Sequence, residues 1–207
     1  KILKEKYPSK LIKNIIEIAD FSDIKINSQK NESGLLYLCP ARYDEQKNLP
    51  NLINAFIDFN KKYPDTKLRI VGSGPMKDKL NKIIKNNNAE SCVELAGWSL
   101  DMPNEYTKAN FTILASVFEG YGMVVIESMY YGTPFLATPF TGGTALIKEG
   151  LNGYIAEGFS KENIYDLLVK SHDNKNIFNS ESIKSSVKDL TKDNMDKKLI
   201  EFWKETI

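Results

Sequence analysis

From residue 34 onward, short apolar runs alternate with segments that carry the spacing of amphipathic helices. Strands are predicted over residues 35–39, 68–71, 93–95, 111–114 and 135–137. Helices are predicted between them over residues 49–62, 76–86, 104–109 and 123–131. Because each helix has room to return the chain to the same edge of a sheet, the alternation is typical of βαβ units. The sequence therefore predicts an α/β fold in which helices flank a parallel sheet.

The two ends of the chain do not follow this alternation. Residues 1–33 suggest a helix, a short strand and a polar linker, and we expect them to be the end of a preceding amino-terminal domain. After residue 155 the pattern is mostly helical, over 161–171, 176–186 and 192–207. The predicted organisation is a linker (1–33), one α/β domain (34–190) and a carboxyl-terminal helix (191–207). Since the sequence begins with Lys1, we expect it to be part of a longer polypeptide.

Charge and composition exclude several classes of partner. The chain has 28 basic and 27 acidic residues, which gives no excess positive charge for binding nucleic acid. Cys39 and Cys92 have neither metal-ligand nor redox-motif spacing, and we expect both to pack in a reduced compartment. With His172 as its single histidine, the sequence predicts no metal site. No run of 18 apolar residues occurs, so we expect a cytoplasmic protein.

The most specific feature is a pair of glutamates that stand eight positions apart, Glu119 and Glu127. Glu127 lies within the apolar segment 123–131, where an ionised carboxylate needs a polar partner. The two neighbouring hydroxyls of a nucleotide ribose would supply charge-assisted hydrogen bonds. The alternative is that Glu119 is an acid favoured near a helix start and that Glu127 lies on the surface.

The segment between the two glutamates has the chemistry of an anion site. Glu119 follows the predicted strand 111–114, and ligands of open α/β sheets collect beyond the carboxyl ends of the strands. Gly120 and Gly122 allow a close approach to the backbone, and the helix after them presents free N–H groups.

Two cations follow the first predicted strand. Arg42 offers a planar fork to phosphate oxygens and Lys47 offers a point charge, so together they would neutralise a pyrophosphate. The alternative is a pair of surface cations, because the same loop contains Asp44 and Glu45.

Glycine-containing turns follow three further strands. Gly72-Ser-Gly74-Pro75 lacks the third glycine of a dinucleotide fingerprint, so we interpret it as a tight strand-to-helix turn. Gly97-Trp98-Ser99 would offer an apolar wall and backbone groups to a nucleotide base, although a packing role for Trp98 is the more common one. The third turn, at residues 140–144, carries the glycine pair Gly142-Gly143, which would open another helix start toward the same crevice or form a plain turn.

Together these motifs resemble the donor-binding half of glycosyltransferase family 4, whose members are retaining enzymes of GT-B fold. The resemblance covers residues 34–170 and is carried by Arg42, Lys47, Gly72-Ser-Gly-Pro75, Gly97, Glu119, Glu127, Gly132-Thr-Pro134 and Gly150-Leu-Asn-Gly153. It implies a Rossmann-like domain that holds a nucleotide-sugar.

The resemblance also implies a role for each site residue. Arg42 and Lys47 would bind the donor diphosphate and stabilise it as the leaving group, without a metal ion. Glu127 would bind the ribose hydroxyls, and Glu119 would approach the transferred sugar. Further contacts to the donor would come from the base wall Gly97, Trp98 and Ser99, from Gly72, and from the amides of Gly120, Tyr121, Gly122, Met123 and Val124.

The implied function is transfer of a hexose or N-acetylhexosamine from a UDP- or GDP-sugar to a glycan, lipid or protein-linked acceptor. The nucleotide-sugar would be a substrate, and no cofactor is expected. The acceptor site would belong to the amino-terminal domain. A peripheral membrane contact, if there is one, would be made by that domain as well. We expect the chain alone to bind donor weakly and to transfer little sugar. Two alternatives are a GT-B sugar-nucleotide epimerase and a non-catalytic partner subunit of a glycosylation complex.

Overall fold

The computed structural model describes residues 34–120, 122–190 and 200. The chain divides into two compact units, residues 24–187 and residues 1–23 with 188–207. The sheet and its helices belong to the first unit, and a 3-10 turn at Lys188–Leu190 belongs to the second. The predicted linker, Tyr121 and, apart from Ile200, the predicted helix 192–207 lie outside the described residues.

A six-stranded sheet forms the centre of this unit, and all of its strand pairs are parallel. The strands are β1 (Leu35–Pro40), β2 (Thr66–Val71), β3 (Val93–Gly97), β4 (Phe111–Leu114), β5 (Phe135–Ala137) and β6 (Gly153–Ile155). Their spatial order is β3-β2-β1-β4-β5-β6. The predicted parallel α/β fold is confirmed.

Helices connect most of these strands. They are α1 (Leu49–Lys62), α2 (Lys77–Asn86), α3 (Met102–Lys108), α4 (Met123–Tyr130), α5 (Lys161–Asp173) and α6 (Ser180–Val187). None of the helices among the described residues is both long enough and apolar enough to span a membrane. His172 lies in the last turn of α5.

The helix predicted over residues 176–186 is present, but its predicted start is wrong. The structure has a 3-10 turn at Lys175–Ile177 and begins α6 at Ser180, with Phe178 in an extended conformation between them. The ring of Phe178 meets the edges of Phe111 and Tyr154 at centroid distances of 5.7 and 5.4 Å. Packing of this ring therefore decides the local conformation against the helical pattern.

Aromatic side chains between the sheet and α1 form much of the core. The centroid of the Tyr37 ring lies 5.2 Å from that of Phe111 and 5.5 Å from that of Phe56, and both neighbouring side chains are buried. The apolar stripe of α1 supplies Phe56 and Phe59 to this cluster. Cys39 and Cys92 are buried free thiols, and burial raises the pKa of Cys39 to about 12, so it remains a neutral packing group.

The strand order places a divergence beside β1. The chain winds from β1 toward β3 on one side and, after crossing to β4, toward β6 on the other. The loops that leave β1 and β4 therefore separate and open a crevice at the carboxyl ends of these strands. This is where the predicted site residues of both loops are brought into proximity.

We predict that Gly153→Ala destabilises the sheet. A Cβ atom at Gly153 would lie 1.9 Å from the Phe135 carbonyl oxygen, which belongs to the backbone of β5 and cannot yield without moving the strand. Overpacking of this kind should lower the free energy of unfolding by about 2 kcal/mol, measured by chemical denaturation.

Gly120→Ala is the matched control, because a Cβ atom there meets nothing within 4 Å. Its unfolding free energy should stay within about 0.5 kcal/mol of the parent. Equal effects of the two substitutions would contradict the steric explanation.

Candidate functional site

A cleft of about 400 Å³ opens at the carboxyl ends of β1, β2 and β3, on the side of the first turns of α4. It brings together six of the predicted site residues: Arg42, Gly72, Trp98, Ser99, Val124 and Glu127. The rest of its lining is Pro40, Ala41, Val71, Ser73, Gly74, Pro75, Met102 and Tyr106. Motifs from separate loops therefore share one cavity, as the sequence predicted.

The floor of the cleft is made by two loops that pair through their backbones. Ala41 N–H donates to the Val71 carbonyl at 3.0 Å, and Tyr43 N–H donates to the Ser73 carbonyl at 2.9 Å. A Cβ atom at Gly72 would lie 2.1 Å from the Ala41 oxygen, so this position requires glycine. The interpretation of Gly72–Pro75 as a tight turn is confirmed, and the turn also faces the cleft.

Arg42 stands at the cleft with its charge accessible. Its side chain is 73% exposed, and its Nε lies 3.6 Å from Asp44 Oδ2, too far for a good hydrogen bond. An exposed pair at this distance contributes little. The guanidinium fork is therefore accessible to an anionic ligand that enters the cleft.

Trp98 lies at the rim of the cleft and is 74% exposed. The interpretation of Trp98 as a core-packing residue is wrong. The preceding Gly97 has a positive φ of 77°, and its carbonyl accepts a hydrogen bond from Gly72 N–H at 2.8 Å. This turn aims the following residues away from the core, and a large indole face is left for a ligand to cover.

Glu127 is half-buried rather than buried, and it has a partner within the protein. The Tyr106 hydroxyl donates to Glu127 Oε2 at 2.7 Å. Burial and the adjacent Glu127 charge raise the pKa of Tyr106 well above its usual value, so the hydroxyl keeps its proton and remains a donor. The polar partner that the sequence predicts for Glu127 is therefore supplied, at least at Oε2, by the protein itself.

Tyr106 was not among the predicted site residues. Its apolar ring fits a core position of the helix before β4, and it is 1% exposed. It lies 21 positions before Glu127 in the sequence, and only the packing of α3 beside α4 brings the two together. No local motif marks that contact.

Lys47 and Glu119 form an ion pair across the divergence between β1 and β4. Lys47 Nζ lies 2.6 Å from Glu119 Oε1, and the two side chains are 19% and 11% exposed. Ser116 Oγ donates to the same carboxylate oxygen at 2.6 Å. Neither Lys47 nor Glu119 lines the cleft, so Glu119 faces the cation rather than the cavity.

A second set of contacts joins the same two loops. Val117 N–H donates to the Gln46 carbonyl at 2.9 Å, and Gln46 Nε2 donates to the Phe118 carbonyl at 2.6 Å. These bonds flank the Lys47–Glu119 pair on the chain. The loop after β1 and the loop after β4 are thereby held as one structure.

The glycine-rich turn leads into α4 beside the cleft. Gly122 adopts the left-handed conformation, with φ 71°, and α4 begins at Met123. Four of the predicted site residues do not line the cavity, namely Gly97, Gly120, Gly122 and Met123. Tyr121 lies outside the described residues. The α4 start therefore contributes Val124 and Glu127 to the cavity.

The described part of the chain contains no cluster of three His, Cys, Asp or Glu residues that could hold a metal ion. Two acidic groups near the cleft have protein partners: Tyr106 donates to Glu127, and Lys47 and Ser116 both contact Glu119. Of the residues that line the cleft, Arg42 carries a positive charge, and Lys47 lies at the adjoining divergence in its pair with Glu119.

Curated proteins with sequence similarity to the chain include two bacterial glycosyltransferases. A poly(glycerol-phosphate) alpha-glucosyltransferase of Bacillus subtilis is 32% identical over 130 residues, which cover 62% of this chain and 19% of that protein. The GtfA subunit of a UDP-N-acetylglucosamine–peptide N-acetylglucosaminyltransferase of Streptococcus pneumoniae is 24% identical over 192 residues, covering 89% of this chain and 38% of the relative. The chain spans less than half the length of each relative.

A solved structure confirms that this unit has the fold of one half of a GT-B enzyme. The pneumococcal O-GlcNAc transferase GtfA, crystallised with UDP and GlcNAc, superposes with a TM-score of 0.75 over 99% of this chain and 43% of its own, at 21% identity. The family model described as "Glycosyl transferases group 1" matches residues 20–182. The chain belongs to the group 1 glycosyl transferases.

Proposed function

We propose that this chain is the nucleotide-sugar-binding half of a retaining glycosyltransferase that uses a UDP-sugar. The transferred group would be a hexose or an N-acetylhexosamine. The observation that carries the proposal is one cleft with a cation, a carboxylate and an exposed indole at its wall, in Arg42, Glu127 and Trp98. These are the groups that a diphosphate, a ribose and a base require.

The chemistry of these groups fits one orientation of the donor. Trp98 would cover a face of the base at the rim, and Glu127 would accept hydrogen bonds from the ribose hydroxyls. Arg42 would meet the diphosphate, and Lys47, held at the adjoining divergence by Glu119, would add a second positive charge. The proposal assigns a catalytic role to these two cations and to Glu119.

Transfer breaks the bond between the anomeric carbon and the diphosphate oxygen, and the electron pair leaves with the diphosphate. A new bond forms from the acceptor hydroxyl oxygen to the same carbon, and the hydroxyl proton passes to the departing phosphate. Negative charge grows on the diphosphate during this step. Fixed cations beside it stabilise the transition state more than the ground state, which is the requirement for catalysis.

Uridine as the base and a glycoconjugate acceptor are proposed from the relatives. The matched N-acetylglucosaminyltransferase is named for a UDP-sugar and a peptide, and the glucosyltransferase for a glycerol-phosphate polymer. Because the relatives are more than twice as long as the matched region, we assign acceptor recognition to sequence outside it. The chain alone would then bind donor and transfer little sugar.

The direct test is calorimetric titration of the chain with UDP. We expect binding, and we expect Arg42→Met to lower the affinity by roughly tenfold or more, since a hydrogen bond to a charged group contributes about 1.5–3 kcal/mol. The Arg42 side chain is 73% exposed, so its replacement should leave the free energy of unfolding unchanged.

Lys79→Met is the matched control for that titration. Lys79 is a half-exposed cation of α2 that pairs with Glu45 at 3.2 Å and does not line the cleft. Its removal deletes the same charge and should leave UDP affinity within a factor of two or so. Absence of UDP binding by the parent, or equal losses in both variants, would overturn the proposed function.

We predict that Lys47 and Glu119 contribute to the free energy of unfolding as a coupled pair. Lys47→Met leaves a largely buried carboxylate without its cation and should lower the free energy of unfolding by about 1–3 kcal/mol. Adding Glu119→Gln should recover part of this loss, because the unpaired charge is then gone. Chemical denaturation of the two single variants and the double variant measures the coupling.

The exposed pair Lys184–Glu181 gives the comparison, at 2.8 Å and with side chains 43% and 79% exposed. The same cycle there should yield no more than about 0.5 kcal/mol. A coupling at Lys47–Glu119 as small as this one would show that the divergence is not held by the ion pair.

Donor binding should not depend on a divalent metal. Because the proposed phosphate contacts are made by Arg42 and Lys47, the UDP dissociation constant should be the same in EDTA and in magnesium within about a factor of two. Calorimetry in the two buffers measures this directly. A loss of binding in EDTA that magnesium restores would contradict the assignment of the phosphate charge to these side chains.

A further inference from the structure

The contact between Tyr106 and Glu127 lies at the wall of the cleft. Both residues line it, and the phenol hydroxyl donates to Glu127 Oε2 at 2.7 Å. An ionised carboxylate accepts about four hydrogen bonds through its two oxygens. The Tyr106 contact uses one of these positions on Oε2 and leaves capacity on both oxygens for groups in the cleft.

Tyr106 is held firmly enough to act as a fixed reference for that carboxylate. Its backbone carbonyl accepts a hydrogen bond from Thr133 Oγ1 at 2.7 Å, which ties α3 to the loop before β5. Its ring stacks nearly parallel to that of Tyr131, with centroids 5.8 Å apart. These contacts hold the Tyr106 hydroxyl in place. Without its hydrogen bond to that hydroxyl, the Glu127 side chain would populate several rotamers.

An ion pair with β2 also anchors α3, the helix that carries Tyr106. Arg69 on β2 forms a two-pronged contact with Glu105, with Nε–Oε2 and Nη2–Oε1 distances of 2.8 and 3.0 Å. Asp101 accepts a hydrogen bond from Asn104 N–H at the start of α3. The seven-residue helix is thus anchored at its start, at its side and at Tyr106.

We propose that Tyr106 is a positioning residue that sets the preference of the site for ribonucleotides over deoxyribonucleotides. It acts through Glu127, whose carboxylate plane it fixes toward the ribose hydroxyls. The proposal rests on the proposed function, since it requires a nucleotide in the cleft. A neutral donor suits this task, because a cation bonded to Glu127 would compete more strongly with the ribose for its charge.

The test compares UDP with 2′-deoxy-UDP by calorimetry. In the parent chain, UDP should bind roughly tenfold or more tightly than the deoxy analogue, the fold-change expected from one charge-assisted hydrogen bond. In Tyr106→Phe, which keeps the ring and removes the hydroxyl, the ratio should fall to about two to three, and it should fall mainly through weaker UDP binding. Thermal unfolding of the same sample checks that the variant is folded.

Tyr37→Phe is the matched control. Tyr37 is another fully buried tyrosine, its hydroxyl lies 3.2 Å from Ser171 Oγ, and it does not line the cleft. This variant should keep the parent ratio even if it is destabilised. A purely structural role for Tyr106 predicts that both variants keep the ratio, so an unchanged ratio in folded Tyr106→Phe overturns the proposal.

A measurement on the parent chain covers the case in which Tyr106→Phe does not fold. With ¹³C-labelled tyrosine, the Cζ resonance of Tyr106 should shift on addition of UDP and shift less with 2′-deoxy-UDP, because the ribose draws charge from the shared carboxylate. An unmoved resonance at saturating UDP overturns the positioning role and leaves the proposed function standing. Absence of UDP binding by the parent overturns both.

Discussion

The ion pair between Lys47 and Glu119 joins the two parts of the sheet where the chain changes direction. The loops after β1 and β4 leave adjacent strands toward opposite edges, and nothing in the parallel ladder itself holds their ends together. A 2.6 Å contact between Lys47 and Glu119, shared with Ser116, closes that gap. It is flanked by the hydrogen bond that the Gln46 carbonyl accepts from Val117 N–H and by the one that Gln46 Nε2 donates to the Phe118 carbonyl. The geometry of the neighbouring cleft depends on this closure.

The fold was predictable where the hydrophobic periodicity of a segment is clear. The site was predictable where one loop carries the charged residue, without help from distant segments. The bounds of α1 follow from its apolar stripe, and Arg42 follows from its place after β1. The misses share a cause, which is contact between distant segments. The ring of Phe178 interrupts a helical pattern, and Tyr106 satisfies Glu127 from another helix.

Two kinds of constraint shape the cleft, and they act at different places. Its floor is set by backbone proximity, since Gly72 lies against Ala41 with no room for a Cβ atom. Its walls carry charged side chains, such as the exposed guanidinium of Arg42 and the carboxylate of Glu127 that is bonded to Tyr106. A floor fixed by the backbone lets these groups meet a ligand without any change in the sheet.

The charged side chains that line the cleft come from separate elements. Arg42 lies in the loop after β1, whereas Glu127 lies on α4 and is bonded to the neutral hydroxyl of Tyr106. In the proposed orientation of the donor, the anionic diphosphate would meet Arg42 and the neutral ribose hydroxyls would meet Glu127, whereas reversal would place phosphate against the carboxylate. Like-charge repulsion would therefore disfavour the reversed orientation.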